Sequence, residues 1–170
     1  VNVFVSYSTA DRRWAEWLAW RIEQGGSSAT IQAWDFTPGS NFVVQMHQAI
    51  QEADRVVLVL SPDFLRSEFT TAEWTAALAG DPTGNSRRLL PVKVRPCRLE
   101  GLLGQVVHID LVGASESDAA RMFDAALSNE RLKPETQPSF PLTPNVDGAT
   151  PGTAATDDDW YFSNLPPKSP

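Results

Sequence analysis

Arg55-Val56-Val57-Leu58-Val59-Leu60-Ser61-Pro62 is the stretch on which the fold turns. An unbroken aliphatic run from Val56 to Leu60, with no polar residue on alternate positions, reads as a strand buried on both faces, the condition of a central strand in a parallel sheet. Ser61 then offers a capping hydroxyl, and Pro62 suits the first turn of a helix, so the strand is expected to pass straight into helical chain.

The same alternation of strand and helix extends in both directions. Val1-Asn2-Val3-Phe4-Val5-Ser6 reads as a first strand, followed by a helix from about Ala10 to Gln24 with Trp14, Trp17, Leu18 and Ile22 on one face and Gly25-Gly26 at its end. A second strand near Ala29 to Trp34 runs into the turn Asp35-Phe36-Thr37-Pro38-Gly39, and a helix follows with Phe42, Met46, Ala49 and Ile50 on a shared stripe. Beyond Pro62 an irregular stretch leads to a helix around Thr71 to Ala79, with Glu73 near its start, and Asp81 to Asn85 reads as a loop. Leu89 to Val94 and Val106 to Leu111 are the fourth and fifth strands, with Pro96 and Gly101 punctuating the link. Ser115 can cap a last helix carrying Ala119, Met122, Phe123, Ala126 and Leu127 at helical spacing. Together these elements predict a flavodoxin-like three-layer α/β/α sandwich with a five-stranded parallel sheet in the order 2-1-3-4-5.

Of the 170 residues, 42% are apolar, enough for one domain with a buried core, expected over 1–133. Residues 134–170 hold eight of the thirteen prolines and few aliphatic side chains, so they read as a flexible acidic linker. Aromatic residues return at Trp160-Tyr161-Phe162, which points to a second domain further on; a first strand that already begins at Val1 points to residues upstream. The net charge is −7, and the tail's Glu135, Asp147, Asp157, Asp158 and Asp159 outweigh its Lys168, leaving the folded part only mildly acidic. No basic stripe marks a nucleic-acid partner. No run approaches the roughly 20 apolar residues of a membrane span, and no basic-then-apolar leader opens the chain. The single Cys97 fits a reducing compartment, read as cytoplasmic, and lacks a paired base that would make it a nucleophile. His47 and His108 have no metal-ligand spacing, so no metal site is expected.

In an open parallel sheet, ligands bind beyond the carboxyl ends of the strands where the strand order reverses. With the order 2-1-3-4-5, Ser6-Tyr7-Ser8 and Ser61-Pro62 face each other across that crevice, flanked by the Asp35–Gly39 loop and the helix bearing Glu73. A phosphoacceptor receiver domain would need acids after strand one, an acid ending strand three and a lysine ending strand five; Tyr7 and Ser8, Ser61 and Asp110 stand there instead. A flavodoxin would need a glycine in the loop Ser6-Tyr7-Ser8-Thr9-Ala10-Asp11 to close backbone amides on phosphate, and it has none.

Three ordered boxes fit a different family. Val3-Phe4-Val5-Ser6-Tyr7-Ser8-Thr9-Ala10-Asp11 resembles the first signature box of Toll/interleukin-1 receptor (TIR) domains. Asp35-Phe36-Thr37-Pro38-Gly39 with Phe42 and Ala49-Ile50 resembles the loop between the family's second strand and second helix. Val57-Leu58-Val59-Leu60-Ser61-Pro62 and Phe69-Thr70-Thr71-Ala72-Glu73 complete the match over about residues 1–130.

The resemblance implies chemistry. Many bacterial and plant TIR domains cleave NAD⁺ between nicotinamide and ribose with a glutamate four residues after an aromatic, usually Trp; here the pair is Phe69 and Glu73. Glu73 is then the catalytic candidate. Tyr7 with Phe36 or Trp34 would sandwich a ring, Phe69 would supply a stacking surface, and Ser8 and Ser61 would bind hydroxyl or phosphate oxygens. Asp35, Pro38 and Gly39 form either a simple turn or an assembly loop, and Arg12 and Arg13 serve either the helix surface or a self-association face. NAD⁺ enters as substrate, not cofactor; further implied partners are other copies of the domain and a fused sensor or nucleotide-binding domain. The resemblance also leaves open a non-catalytic TIR–TIR signalling module, and a related fold in the nucleoside deoxyribosyltransferases breaks an N-glycosidic bond with a glutamate but lacks the Pro-Gly box.

Overall fold

The computed structural model describes residues 1–67, 87–101, 103–133 and 137–140. The chain divides into two units, Val1–Lys133 and Pro134–Pro170. In the second, the described residues 137–140 carry no regular secondary structure. The expected helix at Thr71–Ala79, the loop at Asp81–Asn85 and nearly all of the expected linker lie outside the described residues.

The first unit is a five-stranded sheet in the order β2-β1-β3-β4-β5, every pairing parallel. β3 (Arg55–Leu60) lies at its centre, between β1 (Asn2–Ser6) and β4 (Leu89–Lys93). Val56 through Leu60 are at most 1% exposed, as an unbroken aliphatic run requires, and burying each such side chain is worth roughly 1.5–3 kcal/mol. The period of two splits them between two cores. Val57 and Val59 join Val3 and Val5 beneath α1 (Arg12–Gln24) and the last helix, α5 (Glu116–Leu127). Val56, Leu58 and Leu60 join Phe4 beneath α3 (Phe42–Glu52) and α4 (Pro62–Arg66). The three-layer sandwich and strand order are those the sequence predicts.

Four local readings are corrected. β2 (Ser28–Ile31) stops short of Trp34, because the Asp35 carboxylate accepts from the Ile31 N–H at 2.7 Å and the Phe36 N–H bonds Gln32 O at 3.3 Å, closing the single helical turn α2 (Gln32–Asp35). β5 is only Ile109–Asp110, since Val106 N–H turns back to Leu103 O, and Pro91, next in register on β4, has no N–H to offer. On α1 the buried stripe is Ala15, Leu18, Ala19 and Ile22; the small alanines let the helix approach the sheet, and Trp14 and Trp17 lie half-buried along the flank, edge to face at 6.0 Å. On α3, Met46, Ala49 and Ile50 are buried but Phe42 stays at the rim, its ring 5.8 Å from that of Phe36.

Two helix starts follow the expected caps: Ser61 Oγ accepts from Phe64 N at 3.0 Å with Pro62 at the first helical position, and Ser115 Oγ accepts from Asp118 N. A third cap that the sequence reading does not name opens α3, where Asn41 Oδ1 accepts from Val43 N and Val44 N. Arg55, at the amino end of β3, donates to Leu127 O at 2.8 Å and Asn129 Oδ1 at 2.7 Å, tying the sheet to the end of α5.

Candidate functional site

Strands β1, β3 and β4 deliver their carboxyl ends to one rim. Ser6 pairs with Leu58 in register, and Leu60 with Lys93. Directly beyond these ends lie Tyr7 and Ser8, Ser61, and Arg95.

The centre of the rim is a nearly sealed carboxylate. Asp11, in the short 3₁₀ turn Thr9–Asp11, has a side chain only 1% exposed. It stands at the cap position of α1 yet makes no capping hydrogen bond. Its Oδ2 instead accepts the Ser61 hydroxyl at 2.5 Å, and its Oδ1 accepts Arg95 Nε at 2.9 Å. Arg95 Nη2 donates onward to Asp63, whose other oxygen accepts Arg66 Nη2 at 2.7 Å. The Arg95 guanidinium first, then that of Arg66, holds the Asp63 carboxyl below the usual range, and the two carboxylates in turn raise Arg95. Ala10, Asp11, Arg13, Trp14 and Arg95 line a shallow depression of about 380 Å³.

The expected site residues separate by role. Ser61 is fully buried, donating to Asp11 and accepting from Phe64, so its hydroxyl is spent on the fold and does not face a ligand. Ser8, half-exposed, accepts only a long 3.4 Å bond from Ala10 N. Tyr7 packs against the α1/α5 core, where burial raises its pKa against a backbone hydrogen bond with Ala33. Phe36 packs against the other core and meets Phe42, so the expected Tyr7–Phe36 sandwich is not formed: the two rings serve opposite faces of the sheet. Trp34 is 45% exposed on α2. Pro38 and Gly39 occupy the middle of a turn closed by Ser40 N to Thr37 O at 3.2 Å, with Gly39 at φ +87, the conformation for which glycine is suited. Phe69 and Glu73 lie outside the described residues.

Arg95 was not among the residues expected at the site. Applying the carboxyl-end rule to the fourth strand as well as to the first and third would have pointed to it. Burial pushes the Cys97 thiol up, away from the thiolate a nucleophile needs. Among the described residues, no cluster of His, Cys, Asp and Glu could hold a metal, and no helix is long and apolar enough to cross a membrane.

An open, wholly parallel sheet with this order and a rim at its switch point defines a flavodoxin-like α/β domain. Residues 3–127 match the family model of the TIR domain, and the chain belongs to that family of signalling modules, some of which cleave NAD⁺. The TIR domain of the Toll-related receptor TRR-2 from Hydra magnipapillata is similar, with a TM-score of 0.62 and 24% identity over 75% of this chain and 94% of that one. A metazoan TIR-STING receptor from C. gigas gives 0.61 and 25% over 74% of this chain but 40% of the receptor, so the chain spans well under half of that protein. A prokaryotic SEFIR domain shares the fold at 18% identity, with a TM-score of 0.50 over 82% of this chain and 98% of that one. No curated protein matches the chain.

Proposed function

We propose that this TIR domain is an NAD⁺ glycohydrolase switched on by self-assembly, the effector part of a cytoplasmic defence or cell-death protein with a fused sensor or nucleotide-binding domain. The observation that carries the reading is Glu73, placed after the aromatic Phe69 in the chain of a TIR family member. Cleavage breaks the bond between ribose C1′ and the nicotinamide nitrogen, and the bonding pair neutralises the cationic ring. Ordinary glycosidases need a second carboxyl to protonate the leaving oxygen; nicotinamide leaves without a proton, so one carboxylate suffices. An ionised Glu73 about 4 Å from the oxocarbenium-like ribose, at an effective dielectric of about 20, contributes roughly 4 kcal/mol, near a thousandfold in rate. Water completing the bond at C1′ gives ADP-ribose plus a proton; an adenine nitrogen in its place gives a cyclic product.

Assembly is supported by an exposed apolar group beside the Pro38–Gly39 turn: Trp34, Val43 and Val44 are 45%, 54% and 60% exposed. The same group favours the second reading, a TIR–TIR interaction module without catalysis. Nicotinamide release from NAD⁺ by concentrated, assembled protein separates the two. Turnover that Glu73→Ala abolishes supports the first; an assembled protein without turnover, or a fully active Glu73→Ala, refutes it and leaves the interaction module.

A further inference from the structure

Two arginines meet at the end of the sheet opposite the rim. Arg55 opens β3, and the register of Val56 with Leu89, closed by Val56 N–H on Arg88 O at 2.7 Å, sets Arg87 beside it at the entry to β4. Both donate to one oxygen, Asn129 Oδ1, Arg55 from Nη2 at 2.7 Å and Arg87 from Nη1 at 3.1 Å. Two like charges thus share a neutral acceptor. Arg55 also donates to the carbonyls of Leu127 and Ala126, and neither guanidinium has a carboxylate partner among the described residues. Asp54, next to Arg55 in sequence, accepts from Asn2 N at 2.7 Å instead. Burial, and then the charge of Arg87, lowers the Arg55 pKa.

Arg87 and Asn129 are also the two described residues other than glycine with positive φ, +50 and +56. Asn129 has a local reason: it ends α5, with Glu130 N–H on Ala125 O at 2.8 Å and its own N–H on Ala126 O. Arginine is not suited to that conformation, and strain of this kind gathers at ligand clamps. Arg87 is exposed and uses one of its five N–H groups, so its fork is open to a further acceptor.

We propose that Arg55, Arg87 and Asn129 form a binding site for a dianionic phosphate group, a function separate from the glycohydrolase reading. Guanidinium forks suit phosphate oxygens, and two positive charges match a dianion, whereas a carboxylate brings one charge against two. The bound group supplies the negative charge that the Asn129 carboxamide lacks.

Thermal unfolding of the full chain in inorganic phosphate, against chloride and acetate at equal ionic strength, tests this. About 20 mM phosphate at about pH 8 should raise Tm by roughly 4 °C over chloride. Arg87→Gln should keep no more than about a third of that rise. Asn129→Asp, which places a carboxylate between the two guanidiniums, should unfold no lower than wild type in chloride and lose the phosphate response. Arg98→Gln removes the same charge from a side chain 89% exposed elsewhere and should respond as wild type. In a phosphate titration followed by NMR, the amides of Arg87 and of residues 127–130 should shift. O-phosphoserine in place of inorganic phosphate tells a phosphorylated chain from the free ion, since only the former makes the monoester the tighter ligand. A wild-type response in Arg87→Gln or Asn129→Asp overturns the site, as does an equal loss in Arg98→Gln or NMR shifts confined to the rim. An equal effect of acetate overturns the assignment to phosphate.

Discussion

Replacing Asp11 by Asn changes little in shape and much in hydrogen bonding. The carboxylate presents two acceptors, one for the Ser61 hydroxyl and one for Arg95 Nε, and it is 1% exposed, so water cannot stand in for either. Asn offers one carbonyl and one N–H₂. The carbonyl must face the guanidinium, which can only donate; the amide N–H₂ then meets Ser61 Oγ, which already accepts from Phe64 N, and the buried Ser61 proton is left without a partner. An unsatisfied buried hydroxyl costs about 1–3 kcal/mol, and exchanging a charged acceptor for a neutral one adds to that, so Asp11→Asn should destabilise by about 2 kcal/mol. Ser61→Ala should also cost about 2 kcal/mol, combining the lost cap on α4 with the lost donor to Asp11. Because the two changes remove the same hydrogen bond, the double variant should lose nearer 3 than 4 kcal/mol, a coupling of about 1 kcal/mol. Urea unfolding followed by circular dichroism, with m unchanged among the variants, reads all three values. Losses that add to within about 0.5 kcal/mol would show that the Ser61–Asp11 bond contributes nothing of its own and would refute the account of the rim.

Three further outcomes follow from the geometry. Asp63 is held below its ordinary pKa by Arg95 and Arg66, so its contribution is full above the unfolded carboxylate value and is lost as pH falls through the lowered one; acid titration of stability should show this loss below about pH 4, and Asp63→Asn should flatten that limb. Gly39→Ala meets no atom within 4 Å but must hold φ +87, so unfolding should show a loss of about 1 kcal/mol from backbone alone, smaller for Gly39→Asn. Val44→Asp introduces an acid into the first turn of α3 at a position 60% exposed, so stability should stay within about 0.5 kcal/mol while sedimentation shows weaker self-association; undiminished association would remove that face from the assembly surface.

Which of these features the sequence reveals follows from how far each interaction reaches along the chain. β3 is legible because its aliphatic run is local, and the Ser61 cap is legible because donor and acceptor are three residues apart. The end of β2 is not, since Ala33 and Trp34 continue a strand-like pattern until the Asp35 carboxylate turns back on Ile31 N–H. The α1 stripe is legible in part: Trp14, Trp17, Leu18 and Ile22 do pack on one core, but Ala15 and Ala19 are the residues buried beside Leu18 and Ile22, since close packing on a sheet selects the smaller side chain. Tyr7, Ser8 and Ser61 could be placed at strand ends by topology, but their partners could not be named. Arg95 meets Asp11 across 84 residues, and no periodicity carries that information.

The rim therefore imposes a division of labour on any ligand that enters it. Ser61 and Asp11 satisfy each other in a dry environment, so neither can bind a ribose or phosphate without abandoning the other, at the cost of an unpaired buried group. Among the described residues near the rim, those with capacity to spare are Ser8, whose hydroxyl makes only a long local bond, and Trp34, whose indole is exposed. A buried carboxylate held by a serine and an arginine is suited to keeping this rim in shape. A lone carboxylate gains its advantage only where the reacting carbon is held near it, since the Coulomb term falls with distance and with every water admitted between them.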